Sequence, residues 1–397
     1  MKTTKDVNMT THTRYHYIDN LRTIALLLGI VFHAALAYGA SFQNIWLTSD
    51  VTNHIAFDFI AKWTHLFRMP LFFVIAGFCG ALLVNLRGEN SYLFNRFKRV
   101  FLPFLVFLPI ILGSTLAISF WAASFVQYRP PIFELFELVE SPSISTMHLW
   151  FLFNLFQFCC VFWLLSKWQS GFQAIMGFIS RPIFLIAVLP FVVGVSMSQQ
   201  MIPFPPPDKL FPQLWSYGFY GVLFLVGASL FHHHSVIQRY EKQLVWLLVI
   251  AVVSSYFYFS HLPAPLEMVD VVKALNNGGV VHVEVDAFLV VMQTLTILSW
   301  TAVCYLSGYK WLNKRNNLSR YLSDASYWVY LIHLPILMII QFVLINTSFN
   351  VFIKFNVSIL VTFALSILSY HFFVRSTFIG TFLNGKKHSV KGVNKLA

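Results

Sequence analysis

Charge is what this sequence has least of. Only 11% of its 397 residues are Asp, Glu, Lys or Arg, less than half of the roughly 25% that a soluble domain carries. With 57% hydrophobic residues and a mean hydropathy of +0.68, there is too little polar surface to cover the chain in water. That excludes an ordinary soluble globule. Cysteine is scarce as well: Cys79, Cys159, Cys160 and Cys304 are the four, and their spacing suits neither metal nor redox chemistry. They read as small apolar packing residues. The net charge of +12 is not gathered in a soluble basic patch with interleaved aromatics, which speaks against a nucleic-acid surface. No internal repeat of the kind that marks many transporters is visible. The first apolar run does not end in a small-residue cleavage site, so it is expected to remain as a helix and not to be removed as a signal peptide.

What is present is a series of apolar stretches near 20 residues, long enough to cross about 30 Å of hydrocarbon. They predict an all-α, polytopic membrane bundle of about ten transmembrane helices in one domain. The spans fall near 20–40, 57–84, 100–123, 147–166, 182–199, 213–231, 243–260, 286–309, 324–346 and 355–374. The expected division is an N-terminal cytoplasmic segment at 1–18, a transmembrane domain at 19–375 and a basic cytoplasmic tail at 376–397. With both ends inside, 21 of the 27 basic residues lie on the cytoplasmic side, as the positive-inside tendency requires. The outer side then holds Lys62, Arg68, Arg129, Lys209, Lys273 and Lys354. The reverse orientation inverts the ratio. The outer loops 124–146, 200–212 and 261–285 are too short for a folded domain and suit lids or re-entrant segments.

Ionisable residues inside spans are costly and point to function. Arg22 and His33 stand eleven residues apart in the first span. Eleven steps of about 100° bring them to within about 20° of one helix face, separated by about 16 Å along the axis. His65 and Arg68 share a face of the second span near its outer end, where a basic residue needs an anion, a carboxylate or a water-filled cavity; Asp58 is a candidate partner. Pro70 and Gly77 on the same span allow a kink or a close helix approach. Arg96, Lys98 and Arg99 form an inner-loop cluster, and Arg forks match phosphate oxygens. His148 opens the fourth span. Tyr330 and His333 lie on the ninth. Each of these also has a plainer reading, as a snorkelling arginine, a topogenic charge or a hydrogen-bonded packing histidine. His232, His233 and His234 point in different directions and make a poor metal site. Together the set places basic groups at the inner face and histidines deeper, the pattern of an anion entering from the cytoplasm.

At these residues the chain resembles the membrane-bound acyltransferase 3 family, over about Tyr17 to Phe373. The resemblance rests on Arg22 with His33, on the Arg68 segment ending Phe72-Phe73-Val74-Ile75-Ala76-Gly77, and on Arg96 with Arg99. His148-Leu149-Trp150-Phe151-Leu152 and Tyr330-Leu331-Ile332-His333-Leu334-Pro335 complete it. Ala76 departs from the serine often found before the glycine. The His65-Leu-Phe-Arg68-Met stretch is most similar to the branch that succinylates osmoregulated periplasmic glucans.

The resemblance implies transfer of an acyl group from cytoplasmic acyl-CoA, as acetyl-CoA or succinyl-CoA, to a hydroxyl of an envelope glycan at a bacterial inner membrane. It implies no bound cofactor, no metal and no nucleic-acid partner. On that reading Arg22, Arg96 and Arg99 meet the coenzyme A phosphates, and His33 acts as general base or as an acylated intermediate. Arg68 stabilises an oxyanion or holds a succinyl carboxylate. His148 and His333 orient the acceptor or relay protons, and His65, Trp150 and Tyr330 contact substrate. The competing reading is a transporter or flippase of an anionic glycan, whose path the same residues would line.

Overall fold

The computed structural model describes residues 15–138, 145–265, 267–276, 286–314 and 316–384. Lys2, Lys5, Arg14, Arg315 and the four lysines of the tail therefore lie outside the described residues. Eight helices are long and apolar enough to cross a membrane singly. They are α1 (His16–Leu36), α2 (Ile55–Arg87), α3 (Glu89–Phe125), α4 (Met147–Lys167), α7 (Leu214–His232), α10 (Ala287–Trp311), α11 (Asn317–Ile345) and α12 (Val351–Val374). Two helix pairs are apolar enough together to cross but are bent by 73° at a short break, as a broken span or a re-entrant loop: α5 (Gln169–Ile179) with α6 (Phe184–Met197), and α8 (His234–Glu241) with α9 (Leu244–Ser260). The count of eight to ten matches the expected bundle. Among the described residues there is no strand, only an isolated bridge between Ser145 and Lys209.

Helices are what such a sequence must form, because hydrocarbon offers no partner to a free backbone N–H or C=O. Side-chain caps satisfy several exposed starts: Asp286, Asn316 and Asn350 accept from the N–H two residues on, each at 2.9 Å. The outward faces carry large apolar residues in the open, among them Phe120, Phe191, Val245 and Phe372. In water such a belt would drive aggregation; in a bilayer it is the lipid surface.

Inside the bundle α2 packs on α1, α7 and α10, and α11 on α1 and α12. Helices in lipid gain little from hydrophobic burial, so close packing through small residues matters more. The α2–α7 contact shows this in reciprocal form. A Cβ on Gly77 would lie 1.8 Å from the Phe224 carbonyl oxygen, and one on Gly227 would lie 1.9 Å from that of Val74. The two backbones touch, and each glycine is needed by the other helix. Gly77 thus serves the close approach expected of it.

The segment between α1 and α2 folds back into the bundle as a strap. Thr48, Ser49 and Asp50 are at most 1% exposed. Asp50 Oδ2 accepts from Lys354 Nζ of α12 at 2.8 Å, with the two side chains 1% and 2% exposed. Thr48 Oγ1 donates to Gln341 Oε1 of α11 at 2.6 Å. Lys354 is therefore a buried structural cation and not a loop charge. The loop before α7 also turns inward: Phe204 is buried, the Pro207 carbonyl accepts from Asn154 Nδ2 of α4 at 2.9 Å, and the Asp208 carbonyl accepts from Thr146 N at 2.8 Å. It plugs the bundle near the start of α4.

Candidate active site

The rings of His33, His148 and His333 form a chain. His33 and His333 have centroids 5.3 Å apart, and His333 and His148 5.1 Å. Three helices that meet only in the folded protein, α1, α4 and α11, each bring one of them. Tyr330 closes the group, its ring 5.5 Å from His148 and its hydroxyl donating to the His148 carbonyl at 2.6 Å. His148 and His333 are buried, and His33 is half-buried.

The hydrogen bonds fix which nitrogens carry protons. A carbonyl only accepts, so a ring nitrogen bonded to one must be N–H. His333 Nδ1 donates to the Tyr330 carbonyl at 2.8 Å, which leaves Nε2 as the basic lone pair. His148 Nε2 donates to the Leu331 carbonyl at 3.3 Å, which leaves Nδ1. That carbonyl is available for a local reason. In a helix it would accept from the N–H four residues on, and residue 335 is proline, which has none. Pro335 therefore supplies the acceptor that holds His148. The same logic operates at Pro103: the Arg99 carbonyl it frees accepts from Tyr327 Oη of α11 at 2.8 Å, tying α3 to α11. His33 Nδ1, His148 Nδ1 and His333 Nε2 are all buried, with no partner among the described residues. Two basic nitrogens, on His148 and His333, and the open Nδ1 of His33 thus lie in one chain of rings, with no partner among the described residues.

Arg68 stands beside this chain. It is 6% exposed, its guanidinium lies 4.3 Å from the Phe32 ring, and Nη1 is 3.4 Å from the Gly29 carbonyl. Its Nε is buried and unpartnered, and among the described residues no carboxylate pairs with it. The expected partner Asp58 is engaged elsewhere. Its carboxylate accepts from Ala40 N at 3.1 Å and Ser41 N at 2.8 Å, closing the turn after α1. The reason is geometric: a carboxylate at the start of α2 meets the backbone N–H groups of the preceding turn before it meets a residue three turns away. His65 stacks between Phe32 and Phe204, at 5.4 and 4.3 Å, and bonds the Phe204 carbonyl through Nε2 at 2.9 Å. Trp150 is 7% exposed, with its ring 5.3 Å from Tyr220 and 6.2 Å from Phe73. It lies in the aromatic core behind Tyr220, and the Tyr220 hydroxyl is itself buried without a partner.

At the other end of α1, Arg22 donates to the Ser323 carbonyl at 3.0 Å and to Ser323 Oγ at 2.5 Å, and pairs with Asp19 at 3.8 Å. Arg96 donates to Asn95 Oδ1 at 2.8 Å. Cys79 lies within electrostatic range of both Arg22 and Arg96. Arg99 lines an open pocket with Arg87, Lys98, Ser91, Asn95 and Phe94. The three arginines singled out in the sequence share one end of the bundle, and the three histidines with Arg68 lie deeper. Among the described residues no group of three or more His, Cys, Asp or Glu is placed to hold a metal ion.

A family model described as an acyltransferase domain matches residues 15–371. The chain belongs to this acyltransferase family. It is therefore a multi-pass membrane O-acyltransferase. Relatives include glucans biosynthesis protein C of Salmonella heidelberg (strain SL476), 22% identical over 81% of this chain and 82% of the relative. Proteins of the same name from Salmonella paratyphi B (strain ATCC BAA-1250 / SPB7) and Salmonella agona (strain SL483) match at the same identity and coverage. No solved structure matches. An acyltransferase needs a base for the acceptor hydroxyl and a donor for the oxyanion, and the histidine chain with Arg68 holds both kinds of group.

Sequence reasoning did not find Trp46, Tyr220, Asp50 or the paired role of Lys354. Trp46 and Asp50 sit in a connecting segment without periodicity, and Lys354 finds Asp50 across 304 residues. The role of Pro335 was open to reading, since a helical proline always frees the carbonyl four residues before it.

Proposed function

We propose that the protein moves an acetyl or succinyl group from cytoplasmic acyl-CoA to a hydroxyl of an envelope or periplasmic glycan. It does so in a bacterial inner membrane with both chain ends inside. The observation that carries this reading is the convergence of three partnerless histidine nitrogens beside an un-neutralised Arg68, about 16 Å along α1 from Arg22. The distribution of basic residues supports the orientation, and the name of the Salmonella relatives supports a glucan acceptor.

In this reading the coenzyme A phosphates lie against Arg22, Arg96 and Arg99, and the pantetheine arm follows α1 to bring the thioester to His33. Acyl-CoA is a substrate and no resident cofactor is needed. His33 takes the proton of the acceptor hydroxyl on a ring nitrogen. His333 and His148 pass or hold that proton, and Tyr330 fixes His148. Arg68 carries the negative charge, either on the carbonyl oxygen of the transition state or on the distal carboxylate of a succinyl group. His65 and Trp150, with Tyr330, frame the acceptor side.

Two measurements test this. His33→Ala, purified in membranes and folded, is expected to lose acylation by about 10²–10⁴-fold, the range of general-base catalysis; retained turnover removes His33 from the role. Mass analysis of envelope glycans from a deletion strain is expected to show loss of an acyl mass of fixed size. Loss or mislocation of the whole glycan would instead establish transport.

A further inference from the structure

Trp46 lies in the strap between α1 and α2, against the His33 ring. Their centroids are 5.6 Å apart and their planes 20° from parallel. An indole Nε1–H can only donate. Here it is buried, and no acceptor among the described residues takes it. A donor left without a partner in a dry interior costs about 1–3 kcal/mol. A hydrocarbon ring would fill the same place without that cost.

The backbone around Trp46 is held firmly. The Trp46 carbonyl accepts from Ser49 Oγ at 2.8 Å, and its N–H donates to the Phe42 carbonyl at 2.9 Å. Two residues on, Thr48 is bonded to Gln341 of α11. Four residues on, Asp50 is paired with Lys354 of α12 and also accepts from Thr52 N and Oγ1 at 2.9 and 2.8 Å. Burying an ion pair is expensive. This one fixes the segment that carries an unsatisfied donor to the face of the candidate base. A donor fixed in place before anything binds is the arrangement that stabilises developing charge at no further cost of reorganisation.

We propose that Trp46 is a catalytic residue whose Nε1–H donates to the thioester carbonyl oxygen of the acyl donor, and that Asp50 and Lys354 are the residues that position it. The inference rests on the acyl-transfer reading above. The acceptor hydroxyl oxygen bonds to the carbonyl carbon as its proton passes to His33. The carbonyl π pair moves onto oxygen, which then accepts the hydrogen bond from Trp46 Nε1–H. On collapse the C–S bond breaks, and the thiolate takes the proton from His33. The products are an ester and a free thiol, and no other co-reactant is consumed. With Trp46 on the oxyanion, Arg68 is released to hold a distal carboxylate.

The test uses the full chain in lipid nanodiscs, with acetyl-CoA and succinyl-CoA as donors, a glucan oligosaccharide as acceptor, and ester formation read by mass. Trp46→Phe keeps an aromatic ring against His33 and deletes the N–H. It is expected to lower kcat by about 10²-fold or more, the size of a lost oxyanion donor, with KM for both substrates within about twofold. Trp46→Leu is the second variant should Trp46→Phe fail to fold, with the same expected loss of kcat. An unchanged kcat overturns the proposal. So does a raised KM for the glucan alone, which would make Trp46 a sugar platform. A wild-type protein that forms ester from neither donor overturns the underlying reading; the other failures leave wild-type turnover intact.

Discussion

Among the described residues two cationic side chains, Lys354 and Arg68, are buried, and they are treated in opposite ways. Lys354 is 2% exposed and sits 2.8 Å from Asp50, which is itself 1% exposed. Arg68 is 6% exposed and, among the described residues, meets an aromatic face and a backbone carbonyl at 3.4 Å but no carboxylate. The first pair is complete: its charges cancel and it needs nothing from outside. The second leaves a positive charge and a buried Nε–H unanswered. An isolated buried charge costs far more than a paired one, so an arginine kept in that state is a socket for an anion. The difference separates architecture from chemistry within one membrane domain.

The comparison can be broken at either cation. Arg68→Met removes the socket and is expected to lower acyl transfer by about 10²–10³-fold if Arg68 acts on the transition state. If it instead holds a donor carboxylate, the loss falls on succinyl-CoA and spares acetyl-CoA, which parallel kinetics with the two donors will show. Lys354→Met strands Asp50 and is expected to destabilise the fold by about 3–5 kcal/mol, read as a lowered thermal midpoint in detergent. Asp50→Leu with Lys354→Met removes both charges and is expected to recover most of that stability. Recovery without activity would separate folding from the placing of Trp46.

Smaller effects sharpen the contrast at its edges. Arg22 is half exposed and already bonded to Ser323 and Asp19. Arg22→Gln is expected to raise KM for acyl-CoA about tenfold with kcat retained, since it removes binding common to ground and transition states. Pro335→Ala returns an N–H that competes with His148 for the Leu331 carbonyl. One hydrogen bond of about 0.5–1.5 kcal/mol is at stake, so a two- to tenfold fall in kcat is expected. No change would show that His148 is held by other contacts.

The bundle itself was legible because membrane burial writes a long, one-letter signal: about 20 apolar residues in a row. Arg22 and His33 were legible because helical spacing puts them on one face. The bends of 73° were not. Hydropathy sees one apolar stretch at 182–199 and misses that α5 before it lies at an angle, with Gly171, Phe172, Met176 and Ile179 turned inward. The meeting of His33 with His333 was beyond sequence spacing, since it joins residues 300 apart in the chain. Asp58 was misassigned for the opposite reason: its true partners, Ala40 and Ser41, are close in sequence but on a turn whose shape periodicity does not describe.

The contact between Gly77 and Gly227 has a mechanical meaning. Two helices that touch backbone to backbone cannot slide or part without losing the whole interface, so α2 and α7 move as one beam. His65 and Arg68 ride on that beam, and so does Tyr220. On the other side of the site stand α1 and α11, which carry His33 and His333.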